Sequence, residues 1–394
     1  MATQTCDLVD RLLTIPDHRR QCQNLKHRLV DILVLGFCGT LAGGDDFVEI
    51  ADWATDNAEF FGTFLELPNG IPSHDTFNRI FTTVKTTTLQ AVLLPWLLER
   101  RGLPGDWVHV DGKTMRRTRR ASKDLGALHV VSAWAGQTGL TLGQVAVDAK
   151  SNEITAMPQL LQLLDLRQKI VTIDAMGCQK EIAQTIVTQE GDYVLAAKDN
   201  QPTLVTEIQA AFAKAQTQPV AAHRVYTTED QNHGRHEHRT VQVLPATKYL
   251  SAALLAVWPG LLTLVMVVRV VTCQMTGVTT TDTSFFISSL RPNARRIGAA
   301  IRGHWSIENG LHWVLDVVFR EDARRLYDRT AAENTAFLNR LALSLLRGDP
   351  TVLSANGSLS CGQLQQPFGQ FAESLLVGRS GQSRFDFLAQ DLML

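Results

Sequence analysis

Three acidic residues lie in segments whose neighbours are strongly apolar, and together their side chains suggest metal-assisted chemistry. Asp111 closes the apolar run of DWVHVDGKT, Asp174 closes KIVTIDAMG, and Glu308 lies inside HWSIENGLHWVLDVVF. A carboxylate that ends a buried run is costly unless another group compensates its charge. Three carboxylates brought together repel one another, and a divalent metal ion relieves that repulsion. The sequence therefore predicts a metal site if the fold brings these residues together.

Each of the three carboxylates also has an ordinary structural explanation. Asp111 precedes Gly112, and Asp-Gly is a common start of a turn. Asp174 ends a strand-like run, where a turn is equally expected. Glu308 shares a helical face with mainly apolar residues, which predicts a position on or beside the core-facing stripe. Composition and spacing alone leave open whether the three side chains converge.

Basic residues are concentrated near the first aspartate, although the whole chain is close to neutral. It has 38 Lys and Arg against 39 Asp and Glu, so net charge gives no general attraction for nucleic acid. The run KTMRRTRRASK follows Asp111 and predicts phosphate contacts that release counterions, with a solvated charged turn as the alternative. The residues predicted to contact DNA are Lys113, Arg116, Arg117, Arg119, Arg120, Lys198, Arg235, Arg239, Arg295, Arg302 and His304.

Three other features allow a chemical role but have a simpler interpretation. HGRHEHR contains three histidines without an evident fourth ligand, which favours a polar hairpin tip over a zinc site. Lys198 lies near a predicted helix N-terminus, which suits either a phosphate or plain helix capping. Trp305 and Trp313 are expected to pack in the core, with base stacking as the alternative.

The hydrophobic pattern predicts a helical region followed by a mixed sheet. The first hundred residues carry apolar side chains at three- and four-residue spacing, which is typical of helices. From Asp106 three consecutive strands are predicted, and then strands and helices alternate. This order predicts a mixed sheet covered by helices, with the strand-end carboxylates at one edge. Residues 216–290 are expected to form a β-rich insertion, and residues 349–394 a weakly ordered tail.

The cysteines and apolar stretches argue against a secreted or membrane protein. Six cysteines are scattered without a CxxC pair, which predicts reduced thiols in a cytoplasmic protein. The N-terminus lacks a charged-then-apolar signal pattern. The longest apolar stretch is broken by Pro259-Gly260 and contains Arg269, so it is interpreted as buried strands around a turn.

These segments together resemble the DDE transposases of bacterial insertion sequences, in particular the H-repeat-associated group. LPNGIPSHDTFNRIF resembles the N-terminal helical domain of that group. Further segments of this chain resemble successive blocks of the family's catalytic domain. They are DGKTMR, LHVVSAWA, KSNEITAMPQLL, TIDAMGCQKEIA, GDYVLAAKDNQP, HGRHEHR and HWSIENGLHWVLDVVFRED. The resemblance covers the chain to about Arg347 and rests on many ordered matches.

The resemblance implies an α/β fold: a ribonuclease-H-like mixed sheet flanked by helices, with a β-rich insertion and an N-terminal all-helical domain. The implied domains are a DNA-binding domain at 1–100, a catalytic domain at 104–348 with the insertion at 216–290, and the tail at 349–394. It also implies a catalytic and metal-binding triad at Asp111, Asp174 and Glu308.

The same resemblance implies the reaction and the partners. Two Mg²⁺ ions about 4 Å apart, with Mn²⁺ as a substitute, would serve DNA strand cleavage and strand transfer. The partners would be the terminal inverted repeats of a mobile element and its target DNA. A homodimer on DNA and a nucleoid-associated location in the bacterial cytoplasm are expected as well.

The chain departs from the family pattern around the glutamate. Many related transposases have tyrosine and arginine upstream and lysine downstream, where this chain has Ile301, His304 and Leu315. The DNA-contact roles of those family residues are therefore not assigned to this chain. His304 is kept as a candidate phosphate contact. Two other functions stay open at this point: a DNA-binding protein without catalysis, and a metal-dependent nuclease that cuts without joining.

Overall fold

A computed structural model gives the fold, and it separates the chain into two compact units. One unit comprises Met1–Arg101 and Val317–Leu394, and the other comprises Gly102–Asp316. The residues that the structure describes are 7–20, 25–102, 105–119, 126–147, 152–216, 224–232 and 234–348. The predicted tail at 349–394 lies outside these residues.

The first unit begins with six helices. They are α1 Asp7–Leu13, α2 Leu29–Leu41, α3 Phe47–Asp56, α4 Ala58–Phe61, α5 His74–Phe81 and α6 Thr86–Arg101. Every residue of α2 is buried, which explains why its sequence is apolar except for Asp31 and Thr40. Asp46 caps α3 by accepting hydrogen bonds from the backbone N–H groups of Val48 and Glu49. The predicted N-terminal helical region is confirmed.

The second unit is built on one nine-stranded mixed sheet. Its strands are β1 Trp107–Met115, β2 Leu128–Ala135, β3 Leu140–Ala146, β4 Ile170–Ile173, β5 Asp192–Ala197, β6 Val225–Asn232, β7 Arg235–Pro245, β8 Thr263–Cys273 and β9 Thr279–Ser288. Its helices are α7 Glu153–Gln162, α8 Lys180–Thr188, α9 Pro202–Ala215, α10 Ala246–Tyr249, α11 Ala252–Val257, α12 Ala294–Ile307 and α13 Trp313–Val317, of which only the last residue is counted with the first unit. The predicted mixed sheet flanked by helices is confirmed.

The strand order is β3-β2-β1-β4-β5-β9-β8-β7-β6. β1, β4 and β5 are mutually parallel, whereas β2, β3 and β9 pair antiparallel with their neighbours. Strands β6 to β9 come from the predicted β-rich insertion and extend the same sheet, because β9 pairs directly with β5.

Two apolar layers hold the helices against the sheet. One face packs against α7, α8 and α9. On the other face, Ile297 and Ala300 of α12 pack with Ile170 of β4 and Val194 of β5. Since β4 is covered on both faces, its four residues, IVTI, are all buried, and three of them are apolar. The sheet therefore gives a rigid base for the side chains at its edge.

The last described helix, α14 Arg329–Leu346, returns to the first unit. Its Asn334 donates to the backbone oxygens of Phe81 and Val84 at 2.8 and 2.7 Å, and it accepts from the Thr86 hydroxyl at 2.7 Å. These contacts explain why α14 groups with the N-terminal helices, although we predicted it within 104–348. The functional division of the chain into domains stays a prediction.

No helix in the described part of the chain combines the length and apolar character needed to cross a membrane.

Candidate active site

The parallel register of β1 and β4 places two of the three predicted carboxylates side by side. Val110 pairs with Ile173, and Asp111 and Asp174 are the next residues of the two chains. Because the strands run in the same direction, both aspartates lie at the same edge of the sheet. Asp111 lies within β1, which continues to Met115, whereas Asp174 directly follows the end of β4.

Burial and neighbouring negative charge disfavour the ionised form of both aspartates. Burial, followed by the charges of Asp174, Glu153 and Glu308, raises the pKa of Asp111 to about 7. The Gly112 N–H opposes this rise by donating to Asp111 Oδ1 at 2.9 Å. Burial, and then Glu153, raise the pKa of Asp174 as well. The sheet edge therefore holds uncompensated negative charge.

Glu308 begins a π-helical segment, Glu308–His312, between α12 and α13. The Trp313 N–H donates to the Glu308 carbonyl five residues back, which is the wider hydrogen bonding of a π turn. The Glu308 side chain is exposed, so the expected place beside the core stripe is wrong. An α-helical face was assumed across this segment, and the π turn breaks that register.

The donor atoms at this edge suit a hard divalent cation. Asp111, Asp174, Glu308 and Glu153 offer carboxylate oxygens, the ligand type that Mg²⁺ prefers. The raised pKa of Asp111 reports a negative charge that a cation would neutralise. Among the described residues, no three His, Cys, Asp or Glu side chains converge closely enough to form a ready-made metal site. The residues thus fit a divalent cation chemically, and their side chains must move closer to share one.

Comparison with known proteins identifies the family. Residues 103–345 match the family model described as "Transposase DDE domain", and residues 9–97 match the model described as "DDE_Tnp_1-associated". The chain belongs to the DDE transposases. These are enzymes that bind DNA and catalyse metal-dependent cleavage and transfer of its strands.

Named relatives and solved structures are also similar to this chain. The putative transposase YncI of Escherichia coli is 38% identical over 350 residues, which cover 86% of this chain and 87% of the relative. The H repeat-associated putative transposase YhhI of Escherichia coli is 35% identical over 346 residues, 87% of this chain and 90% of the relative. The cryo-EM structure of a piggyBac transposase synaptic complex with hairpin DNA has 9% identity and a TM-score of 0.39, over 99% of this chain and 83% of that chain, and this likeness is too weak to carry an argument.

The structure separates the predicted DNA contacts of the transposase into exposed and buried groups. The exposed members are Arg116, Arg117, Arg119, Lys198, Arg235, Arg295 and Arg302. Arg120 lies outside the described residues, as does His233 of the HGRHEHR segment. The described part of that segment lies at the β6–β7 hairpin, where Asn232 pairs with Arg235.

Three of the predicted phosphate contacts are engaged by acidic residues of the same unit. Lys113 is only 7% exposed, and its Nζ lies 2.5 Å from Asp316 Oδ1. Arg239 is equally buried and contacts Glu237 at 2.7 Å. Arg302 is half exposed, but it pairs with Asp230 at 2.9 Å and more weakly with Glu237 at 3.5 Å. Phosphate contact does not fit Lys113 or Arg239, because burial and ion pairing remove them from the surface.

His304 does not suit a phosphate contact in this structure. Its Nδ1 lies 2.8 Å from the Thr172 hydroxyl, which also lies 2.6 Å from His109 Nδ1. Burial lowers the pKa of His304 to about 4 and, together with the charge of His304, lowers that of His109 to about 3. Both rings are therefore neutral near pH 7. His304 connects α12 to β4 through its contact with Thr172.

The two tryptophans that flank Glu308 are exposed, so their expected place in the core is wrong. Trp305 is 48% exposed and Trp313 is 52% exposed. Sequence reasoning also missed Glu153, whose charge acts on both aspartates. The signal was present in the family-like block KSNEITAMPQLL, which places an acidic residue at the start of a helix after β3.

Proposed function

We propose that this transposase cleaves DNA at the ends of its own mobile element and joins those ends to target DNA. The proposed catalytic and metal-holding residues are Asp111, Asp174 and Glu308. The observation that carries this assignment is the pairing of Val110 with Ile173, since it puts two carboxylates on adjacent parallel strands. The raised pKa of Asp111, which includes a contribution from Glu308, supports placing the third carboxylate at the same edge.

The three carboxylates would divide the work of holding a divalent cation. Mg²⁺, with Mn²⁺ as a substitute, supplies activation of water or of a 3′-hydroxyl and charge stabilisation at phosphorus. Asp111 is central among the acidic groups and suits a shared ligand. Asp174, which directly follows the adjacent strand β4, would also hold the cation. Glu308 is exposed, which suits a ligand on the side where DNA enters.

DNA recognition would depend on local cations. The 3₁₀ turn Arg116–Thr118 follows β1 directly, so its exposed arginines lie a few residues from Asp111 along the chain. Each phosphate contact contributes affinity by releasing counterions. We propose the terminal inverted repeats and target DNA as substrates and a homodimer as the form that holds two ends. We also propose a cytoplasmic, nucleoid-associated location. The scattered cysteines support the cytoplasmic part, since they suit reduced thiols, and the DNA substrate is the reason for the nucleoid.

The assignment is tested with Asp174→Asn in the full-length protein. DNA that carries the inverted repeats flanking the gene is incubated with Mg²⁺, and nicked and joined products are separated on a denaturing gel. Loss of a metal ligand is expected to lower cleavage by more than about a hundredfold. Gel-shift binding should stay unchanged, because the side chain is replaced by one of similar size.

The matched control is Asp165→Asn, an exposed aspartate of the same unit that pairs only with the nearby Arg167 in the described structure. It should cleave at the wild-type rate. Full cleavage by Asp174→Asn would refute the assigned triad. Wild-type binding without any nicking in Mg²⁺ or Mn²⁺ would instead indicate a DNA-binding protein without catalysis, and nicking without joined product would indicate a nuclease.

A further inference from the structure

Glu153 lies at the sheet edge although the proposed mechanism does not use it. It is the first residue of α7, and α7 packs against β2 and β3. Its side chain is only 15% exposed. A glutamate in the first turn of a helix interacts favourably with the helix dipole. This interaction explains neither the burial nor the direction of the Glu153 carboxylate.

The carboxylate of Glu153 sits over the backbone next to Asp111. A Cβ atom on Gly112 would lie 2.5 Å from Glu153 Oε1 and 2.4 Å from His129 Nε2. Side chains do not tolerate such distances, so any larger residue would displace Glu153 or His129. The glycine after the catalytic aspartate therefore leaves room for a fourth acidic group.

Two strands hold Glu153 in this position. Thr114 of β1 pairs in register with His129 of β2, and the Thr114 hydroxyl lies 2.7 Å from His129 Nδ1. The opposite ring nitrogen, Nε2, lies 2.5 Å from Glu153 Oε1. Groups that orient a metal-holding carboxylate commonly contact it in this way from the side away from the metal.

The charge of Glu153 reaches both aspartates. Glu153 lies near enough to Asp111 and Asp174 for its carboxylate charge to repel theirs. Holding a further carboxylate beside two others costs free energy unless a cation neutralises them. Oxygen ligands from four acidic side chains are within the coordination preference of divalent cations of this kind.

We propose that Glu153 is a fourth acidic residue of the active site and holds the divalent cation together with Asp111 and Asp174. This inference rests on the proposed function, since it concerns the cation of the same site. His129 and Thr114 are positioning residues that act through Glu153.

The test measures cation binding directly, without DNA. Full-length wild-type protein, Glu153→Gln and the control Glu181→Gln are titrated with Mn²⁺, and binding is followed by calorimetry. Glu181 is an exposed acid in the first turn of the neighbouring helix α8, so it reports the effect of removing a charge from a helix start. We expect about tenfold weaker Mn²⁺ binding for Glu153→Gln and no change for Glu181→Gln.

Strand cleavage as a function of Mg²⁺ concentration separates the two proposals. Glu153→Gln should need about tenfold more Mg²⁺ for half-maximal cleavage and should recover activity at high concentration. Wild-type cleavage together with unchanged Mn²⁺ affinity in Glu153→Gln would overturn the role of Glu153 and leave the proposed function intact. Weaker Mn²⁺ binding in the variant, with no cleavage by the wild type, would support Glu153 and refute the proposed function. Absence of Mn²⁺ binding by the wild type would overturn both.

A second variant decides the matter if Glu153→Gln fails to fold. His129→Gln changes only the group that holds Glu153 and keeps a side-chain N–H donor. We expect His129→Gln to weaken Mn²⁺ binding, but by less than Glu153→Gln does. Unchanged Mn²⁺ binding in a folded His129→Gln protein would then overturn the inference.

Discussion

At the scale of single residues, folding disfavours the ionised form of the carboxylates at the proposed active site of this transposase. Asp111 is four-fifths covered by protein, with 20% of its side chain exposed, and acidic neighbours surround it. His312 Nδ1 lies 3.5 Å from Asp111 Oδ2, a distance that gives weak compensation. A cation bound at this edge would therefore act on both stability and catalysis.

The pKa of Asp111 leads to a prediction about metal-free protein. Its pKa is raised from 3.8 to about 7 in the folded state, so folding takes up a proton between those pH values. Stability contributed by this group is present below pH 4 and is lost as pH rises through 7. Asp111→Asn removes that loss and should be more stable than the wild type at pH 8, by up to about 4 kcal/mol. Thermal unfolding in EDTA at pH 5 and pH 8 measures this difference.

Asp165→Asn serves as the control for that pH dependence. Its hydrogen bonds from Arg167 lower the pKa of Asp165 to about 2, so its contribution changes only in acid and not between pH 5 and pH 8. If Asp111→Asn and the wild type show the same change in unfolding temperature between the two pH values, Asp111 does not titrate as the structure indicates.

At the scale of elements, one hydroxyl connects the two aspartate strands to the glutamate helix. Thr172 of β4 contacts His109 of β1 and His304 of α12. Thr172 is 2% exposed and His109 is 1% exposed, so water cannot replace these contacts easily. The bridge therefore fixes the distance from the sheet edge to the segment that begins at Glu308.

Thr172→Val tests this bridge, because valine keeps the shape and removes the hydroxyl. Two buried ring nitrogens lose a partner, which should lower the free energy of unfolding by about 1–3 kcal/mol. Cleavage should fall as well, since α12 holds Glu308 less firmly. Denaturant unfolding and the cleavage assay measure the two effects. The control is Thr206→Val, an exposed threonine of α9 that donates to Pro202 O, and it should change stability by less than about 0.5 kcal/mol.

Some of these elements could be predicted from the local sequence pattern, and others could not. The apolar runs of the sequence predicted strands β1 and β4 and an aspartate at the end of each run. Such patterns can be recognised because they lie within a short stretch of sequence. The π turn at Glu308 was not predictable, since its hydrogen bonding departs from the helical period on which the prediction relied. The burial of Lys113 was also missed, because its partner Asp316 is some two hundred positions away in the chain.

At the scale of the whole molecule, composition and long-range packing set limits that no single motif shows. The helix α14 packs with the N-terminal helices through Asn334, although more than two hundred residues separate them in sequence. Net charge is −1, so the chain as a whole has no electrostatic attraction for DNA. Binding must therefore come from exposed cations in a few places.

The exposed arginines after β1 give the strongest prediction about DNA binding. Replacing Arg116, Arg117 and Arg119 together by alanine should weaken binding to the element ends and to unrelated DNA alike. Each lost phosphate contact lowers the slope of log affinity against log salt by about 0.9, so the slope should fall by about 3. Fluorescence anisotropy across a range of NaCl concentrations measures it. The control is Arg167→Ala, an exposed arginine already paired with Asp165 at 2.7 Å, which should leave the slope unchanged. An unaltered slope in the triple variant would show that other basic side chains bind the DNA phosphates. The basic run beside Asp111 would then be a solvated turn.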